Sequence, residues 1–317
     1  MTTGYHSFLA LQIGSYVELK RSLGLQFRTQ EGILKSFDRF LSDKGCDCML
    51  TERLVLEFAS GTSKTSKRQK AKRYHVVRHF FSYLAAFRDV PSLSPKAMRY
   101  VQRRSPPYVF SESSLERLLQ EVHRSYSGDY CKVTYRTIIG LGVSAGLRIS
   151  EIIRMNKLDA NLANGILTIR RTKFNKDRIV PIHPSTVSAL RDYAGIRDER
   201  FPTTSCQAFF INSYGRRCNI NTIGRQISVL TRKAGLRPAT GRPPTFHSLR
   251  HTFAVWRLAS WYRQGCDLQA KLPMLATYMG HANYRLTAYY LTATAEILGL
   301  AIDRLERFSQ GEEVCLE

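Results

Sequence analysis

The stretch "MGHANYRLTAYYLTA", residues 279–293, gathers three tyrosines within seven positions, just after a Gly-His pair. Tyrosines spaced along a helix most often pack in a core or an interface, because the ring is large and amphipathic. This stretch, however, belongs to a chain with a large excess of positive charge. The other motifs must therefore decide whether these tyrosines pack or react.

The composition favours nucleic acid as the partner. The chain has 317 residues, with 48 Lys and Arg against 25 Asp and Glu, and a formal net charge of +23. Such a charge suits a polyanion far better than a small metabolite. An anionic membrane surface is the rival, but the sequence has no apolar run of about 18 residues and no signal peptide. We therefore expect a cytoplasmic protein without a membrane segment.

The cysteines and histidines do not form a metal-binding pattern. Seven cysteines are scattered along the chain, and only Cys46 and Cys48 are close neighbours. Zinc ribbons and fingers need paired Cys or Cys/His spacing, so this scatter argues against them and against a disulfide framework. The eight histidines contain no HExxH array. We expect reduced thiols, and catalysis that uses no protein-bound metal and no other cofactor.

The amino-terminal third is the more basic part, with 19 basic and 8 acidic residues in 1–104 against 29 and 17 in 105–317. Within 62–84 seven cations occur without an acid, while Val77, Phe80, Phe81 and Leu84 recur at helical spacing. This pattern predicts an amphipathic basic helix with one buried face. A merely solvated charged face is the alternative, but phosphate contact is favoured. The predicted DNA-binding residues are Lys64, Lys67, Arg68, Lys70, Lys72, Arg73 and Arg78.

Two domains are expected at this length. The sequence "RRSPP", residues 103–107, breaks helical continuity, and Ser111 or Ser113 can cap the helix that follows. We place a helical domain at 1–100, a linker at 101–108 and a second domain at 109–317. Within the second domain, alternation over 166–171 and a strand at 178–182 predict a hairpin with a basic tip. A basic amphipathic helix is predicted at 293–308.

Two further motifs carry candidate phosphate-binding groups. "AGLRISEI", residues 145–152, places Arg148 in an apolar neighbourhood, where a guanidinium needs an anionic partner. That partner is either a phosphate or Glu151 in a structural ion pair, with neither favoured by this motif alone. "HSLRHTFA", residues 247–254, places a histidine and an arginine on one face of a helix, where both could contact one phosphate.

These three motifs, in this order and spacing, resemble the signature boxes of the tyrosine recombinases, the family of phage integrases and Xer proteins. The resemblance covers nearly all of residues 106–305. In addition, "HVVRHFFSYL", residues 75–84, resembles the last helix of that family's core-binding domain. The resemblance implies a mainly α fold with a small antiparallel β-sheet, in which a helical, SAM-like core-binding domain precedes a mixed catalytic domain.

The resemblance also implies roles for individual residues. The nucleophile is Tyr290, because the family places it nine residues past the histidine; Tyr284 and Tyr289 then pack or contact DNA. Lys173 is favoured as the hairpin lysine over Lys176. Glu151 would orient the first arginine, and His251 would give structural support. The implied catalytic set is Arg148, Lys173, His247, Arg250, His281 and Tyr290, in which His247 would accept or relay the proton of the tyrosine.

The implied function is site-specific DNA recombination through a 3'-phosphotyrosyl intermediate, for integration, excision or transposition of a mobile element. The implied partner is double-stranded DNA with paired inverted-repeat core sites, bound by a homo- or hetero-tetramer. Three alternatives stay open: Xer-like resolution of chromosome or plasmid dimers, relaxation of DNA as by type IB topoisomerases, and a catalytically inactive DNA-binding accessory protein.

Overall fold

The structure is a computed structural model that describes residues 4–45, 50–61, 65–100, 107–170, 177–238, 243–281, 283, 285–293, 299 and 302. The chain divides into two compact units, Met1–Arg104 and Ser105–Glu317. Helices dominate both units, and three short strands form one antiparallel sheet. The expected fold class, mainly α with a small antiparallel sheet, is confirmed.

The amino-terminal unit contains four helices in its described residues: α1 Ala10–Ser22, α2 Arg28–Asp43, α3 Glu52–Ser60 and α4 Lys67–Leu84. Hydroxyl groups start two of them, since the Thr51 and Ser66 side chains accept hydrogen bonds from backbone N–H groups of the first turns of α3 and α4. Aromatic rings fill the core between the helices, where the ring centroids of Phe37 and Phe58 lie 4.9 Å apart. The predicted buried face of α4 is confirmed, because all four of its predicted apolar residues are buried.

The second unit contains eight α-helices, one short 3-10 helix and three strands in its described part. The α-helices are α5 Glu112–Ser125, α6 Asp129–Ser144, α7 Ile149–Arg154, α8 Pro184–Arg200, α9 Ile220–Lys233, α10 Phe246–Arg263, α11 Leu268–Met279 and α12 Arg285–Ala293. The 3-10 helix spans Lys157–Asp159, and the strands are β1 Ala160–Asn161, β2 Ile166–Ile169 and β3 Arg178–Pro181. Ser111 caps α5 by accepting from the backbone N–H of Ser114, as predicted.

The predicted hairpin is formed by β2 and β3, which pair antiparallel with Thr168 opposite Ile179. Leu167, Ile169 and Val180 are buried. This agrees with the alternating pattern, because successive side chains of a strand point to opposite faces of the sheet. A third strand, β1, adds to the outer edge of β2. The basic tip at 171–176 lies outside the described residues.

Helix α10 lies against α6 in the core of this unit, and two glycines permit close approaches beside it. Gly146 has a φ of +59°, and a Cβ there would lie 2.3 Å from a ring carbon of Phe253 on α10. Gly280 has a φ of +67° and ends α11; a Cβ there would lie 2.8 Å from the Arg178 guanidinium. Glycine is therefore required at both positions, of which Gly146 lies two residues before Arg148 and Gly280 directly before His281.

Two predictions concern segments that are mostly outside the described residues. Of the predicted linker at 101–108, only 107 and 108 are described. Of the predicted helix at 293–308, only 293, 299 and 302 are described. In the part of the chain that is described, no helix has the length and apolar character needed to cross a membrane.

Candidate active site

Five of the six predicted catalytic residues converge in the second unit. Arg148 precedes α7, His247 and Arg250 lie in the first turns of α10, His281 follows α11, and Tyr290 lies on α12. Lys173, and the alternative Lys176, lie outside the described residues.

Both arginines bind the carbonyl groups at the end of α11. Arg250 Nη2 donates to the Met279 carbonyl at 2.7 Å, and Arg148 Nη1 reaches the same oxygen at 3.5 Å. Arg148 Nη2 donates to the Gly280 carbonyl at 2.9 Å. These two carbonyl groups directly precede His281 in the chain. The hydrogen bonds therefore keep both guanidinium groups close to the backbone that carries this histidine.

Glu151 carries the negative charge that compensates the cations around it. Its carboxylate accepts from Arg148 Nη1 at 2.7 Å and from the Arg148 backbone N–H at 2.9 Å. It also accepts from Arg178 Nη1 and Nη2, at 3.0 and 2.9 Å. Burial alone would raise the pKa of Glu151, but the hydrogen bonds and charges of Arg178 and Arg148 outweigh it and lower that pKa to about 2. The carboxylate is therefore ionised at neutral pH.

Arg178 is a site residue that the sequence interpretation missed. It lies on β3, its side chain is 12 % exposed, and its Nε also donates to the Tyr278 carbonyl at 3.0 Å. It thereby joins the hairpin to Glu151 and to the end of α11. Its contacts span 27 and 100 positions in the sequence, so local spacing gave no signal for them.

Arg250 is a buried cation that forms no ion pair among the described residues. Its side chain is 0 % exposed, and its two hydrogen-bond acceptors among the described residues are neutral carbonyl oxygens, those of Met279 and, at 2.6 Å, Gly146. Its Nε is buried without an acceptor within the described structure. Burial and the charge of Arg148 lower the pKa of Arg250 to about 9. A buried donor without an acceptor is costly, so this group is suited to receive an anion.

Three histidines lie close to the arginines, and a lowered pKa keeps each of them neutral at neutral pH. Burial, followed by the charge of Arg250 and its neighbours, lowers the pKa of His281 to about 3. Burial and then His247 and Arg250 lower the pKa of His251 to about 3. His247 keeps an exposed surface, yet the protein packed around it and the charges of Arg250 and Arg148 also lower its pKa. Nδ1 of His281 lies 2.7 Å from the Thr287 hydroxyl.

Tyr290 is 2 % exposed, and its hydroxyl lies 2.7 Å from Nδ1 of His251. Burial raises the pKa of Tyr290 to about 12, although the positive charge of Arg250 acts in the opposite direction. The sequence interpretation gave His251 only a supporting role, whereas the structure places it in direct contact with this phenol. The two residues are 39 positions apart, so local spacing gave no signal for this contact.

The predicted DNA-binding residues belong to the separate amino-terminal unit and differ in exposure. Lys67, Arg68 and Lys72 are exposed, and Lys70 is half-buried. Arg73 instead stacks on the ring of Phe58, with 4.2 Å from its guanidinium carbon to the ring centroid, and burial lowers its pKa. Arg78 is half-buried, and its Nε lacks an acceptor in the described part of the chain. Lys64 lies outside the described residues.

Metal binding has no visible basis in the described ranges. Among those residues, no group of three or more His, Cys, Asp or Glu side chains is arranged to hold a metal ion.

Comparison with known proteins identifies the family. Residues 109–296 match the phage integrase family. An integrase/recombinase of Sinorhizobium fredii, y4rE, is 38 % identical over 305 residues, which cover 95 % of this chain and 97 % of that protein. The tyrosine recombinase XerC of Chlamydia pneumoniae is 31 % identical over 162 residues, covering 51 % and 48 % of the two chains.

Solved structures share the fold. The XerH site-specific recombinase bound to a palindromic difH substrate has a TM-score of 0.64 at 22 % identity, over 88 % of this chain and 79 % of that one. The Tn1549 transposon integrase in complex with transposon right end DNA has a TM-score of 0.64 at 15 % identity, over 94 % and 99 %. The matched residues 109–296 and the likeness to y4rE establish that the chain belongs to the phage integrase family of tyrosine recombinases.

Proposed function

We propose that the protein is a site-specific DNA recombinase that cleaves and rejoins DNA through Tyr290. The observation that carries this proposal is a buried phenol in the same cluster as two guanidinium groups, one of which has a buried N–H without an acceptor among the described residues. Cleaving a phosphodiester without a metal requires a nucleophile, a clamp for the non-bridging oxygens and a proton donor for the leaving oxygen. The first two requirements are met by described residues.

Arg148 and Arg250 would clamp the scissile phosphate. A guanidinium has five N–H donors, and only two of those on Arg250 are used by the Gly146 and Met279 carbonyls. The remaining donors, including the buried Nε–H, are available to non-bridging phosphate oxygens. His281 would add a hydrogen bond from Nε2. These donors are held in place before the reaction, which is the condition under which they stabilise charge in a transition state.

In the proposed reaction the Tyr290 oxygen bonds to phosphorus while the bond from phosphorus to the 5' oxygen breaks. The phenol loses its proton, with His247 as the acceptor expected from the sequence, and Lys173 protonates the departing 5' oxygen. The product is a 3'-phosphotyrosyl bond, which is again a phosphoester. A 5' hydroxyl from another strand can therefore reverse the step without ATP.

The site must open when DNA binds. Arg250 is 0 % and Tyr290 2 % exposed, so a DNA phosphate reaches them only after the chain around them has moved. We therefore infer that binding and cleavage are separate steps for this protein.

The proposed partner is double-stranded DNA with paired inverted-repeat core sites. Structures that share the fold include a lambda integrase dimer bound to a core site and a lambda integrase tetramer bound to a Holliday junction. By analogy we propose a tetramer of identical or related chains, with a helical core-binding domain at 1–100, a linker at 101–108 and a catalytic domain at 109–317. The basic helix α4 would contact DNA phosphates. Acting on cellular DNA, the protein would reside in the cytoplasm.

We propose a role in the movement of a mobile element, supported by the likeness to the y4rE integrase/recombinase and to a transposon integrase. Resolution of chromosome or plasmid dimers is the second candidate, favoured by the likeness to XerC and XerH. The DNA flanking the gene separates the two, since inverted repeats and neighbouring recombinase genes are expected only for a mobile element.

The nucleophile is tested with a nicked suicide substrate that traps the covalent intermediate. We expect the wild-type protein to form an adduct that survives SDS, and Tyr290→Phe to bind the same DNA without forming it. Tyr289→Phe is the matched control and should form the adduct. An undiminished adduct in Tyr290→Phe would place the nucleophile elsewhere, and no adduct with the wild-type protein would favour the inactive accessory protein.

A further inference from the structure

The Tyr290 hydroxyl contacts a basic group on His251. Nδ1 of His251 lies 2.7 Å from the hydroxyl oxygen, and the two rings are 5.4 Å apart between centroids. His247, which the sequence suggested as the proton acceptor, packs edge-to-face against His251 at 4.4 Å between centroids. His251 therefore contacts both the phenol and His247.

A second contact fixes the helix that carries the phenol. Thr287 lies three residues before Tyr290, on the same face of α12, and its buried hydroxyl lies 2.7 Å from Nδ1 of His281. Helix α12 is thus joined at two points to histidines of different elements. The contact between His251 and Tyr290 is one of these two. Because both contacts restrain α12, the orientation of the Tyr290 side chain does not depend on a single hydrogen bond.

We propose that His251 is a positioning residue for the tyrosyl attack, because its Nδ1 accepts the Tyr290 hydroxyl proton in a hydrogen bond and so fixes the direction of the oxygen lone pairs. This inference rests on the proposed function of Tyr290. Attack on phosphorus needs a lone pair aimed along one line, and misplacement by about 1 Å can cost about 100-fold in rate. A hydroxyl whose proton is committed to His251 presents its lone pairs in one orientation.

The groups that face His251 favour a neutral ring that aligns the phenol. They are His247 and Arg250 on its own helix, His281 after α11 and Tyr290 on α12. A neutral imidazole accepts through Nδ1 only when its proton is on Nε2, so the proposed hydrogen bond requires that tautomer. The low pKa of His251 and the high pKa of Tyr290 disfavour proton transfer between them. The ring therefore acts as an acceptor that orients the hydroxyl before the attack, and the proton lost during the attack goes to His247, the acceptor in the proposed reaction.

The test compares two substitutions in single-turnover adduct formation at saturating DNA. Asn places an acceptor oxygen near the position of Nδ1 but is not a base, whereas Leu removes the acceptor. We expect H251L to slow adduct formation by about 100-fold and H251N to restore most of the rate. We also expect H251N to keep the wild-type dependence on pH between about 6 and 9, since the ring does not titrate there.

Three outcomes would overturn the inference. These are an H251L rate equal to that of the wild-type protein, an H251N rate as low as that of H251L, and an H251N pH profile that loses a limb present in the wild-type profile. The last two would make basicity of the ring essential. His123, which is exposed on α5, provides the matched control H123L. DNA affinity and melting temperature identify a variant that fails to fold.

A measurement on the free protein separates this inference from the proposed function. Nitrogen-15 NMR of the histidine side chains is expected to find His251 Nδ1 as a hydrogen-bonded acceptor, and its signal should shift in Tyr290→Phe. No shift would overturn the contact, even when the wild-type protein cleaves DNA. Conversely, a wild-type protein that forms no adduct refutes the proposed function, while the NMR result still decides the contact.

Discussion

The two arginines of the site are neighbours that are stabilised in different ways. Arg148 is 29 % exposed in its side chain and forms an ion pair with Glu151 at 2.7 Å. Arg250 is 0 % exposed, and it donates to the Gly146 and Met279 carbonyls instead. The charge of Arg148 is balanced by a carboxylate, whereas Arg250 is buried with neutral acceptors. If Tyr290 attacks DNA as proposed, this difference means that the fold fixes Arg148 in advance, whereas an incoming phosphate would neutralise Arg250.

The largest expected effect follows from removing the charge of Arg250. Arg250→Gln should lower the single-turnover rate of adduct formation by about 100- to 1000-fold, because a preorganised donor to the phosphate is lost. Its free energy of unfolding should change much less than the rate implies, since a buried cation without a carboxylate contributes little net stability. Chemical denaturation of the free protein checks this second part. A large loss of stability with a small loss of rate would reverse the roles given to the two arginines.

The carboxylate beside Arg148 should matter for stability more than for chemistry. Glu151→Gln leaves Arg148 and Arg178 without their shared counter-charge, and breaking a buried pair in this way costs about 3 to 5 kcal/mol of unfolding free energy. Urea denaturation measures this cost. A loss below about 1 kcal/mol would mean that the carboxylate is not a structural partner of the two arginines.

The same carboxylate predicts a dependence of stability on acid. Its pKa is about 2 in the folded protein, against an ordinary value of 4.5. A depressed pKa stabilises the fold above about pH 4.5, and that contribution of about 3 kcal/mol is lost as the pH falls from 4.5 toward 2. Glu151→Gln should therefore flatten the fall of stability in this range. An equally steep fall in the variant would place the responsible carboxylates elsewhere.

A smaller effect is expected at Gly280, which lies between Arg148 and Arg178. A Cβ at this position would lie 2.8 Å from the Arg178 guanidinium, which is held by Glu151 and the Tyr278 carbonyl. Gly235 is the matched control, since it has a similar φ of +69° but nothing within 4 Å of a Cβ. Gly235→Ala should cost about 1 kcal/mol of unfolding free energy from backbone strain alone, and Gly280→Ala about 1 to 2 kcal/mol more. Equal costs would mean that Arg178 moves aside freely.

These contacts also mark what the sequence could and could not predict. The buried face of α4, the hairpin strands and the Ser111 cap depend on local period and turn chemistry, and the sequence predicted all three. The two-residue strand β1 is too short to carry a pattern. The contacts of Arg178 with Glu151 and of His251 with Tyr290 join residues 27 and 39 positions apart, so they depend on how the elements pack.

The smallest expected effect concerns DNA binding by surface lysines, which can also be compared with and without an acidic partner. Lys67 and Lys70 lie on α4 in a segment without acids, whereas Lys35 on α2 is paired with Glu31 at 3.1 Å. If α4 contacts DNA, neutralising Lys67 and Lys70 to Gln should weaken binding at every sequence and reduce the log–log salt slope by about 0.9 for each lost phosphate contact. Lys35→Gln should leave the slope unchanged, because its charge is already balanced. If substitution of Lys67, Lys70 or Lys35 gave the same salt slope, α4 would be a solvated surface. The local balance of charge would then not identify the cations that bind DNA.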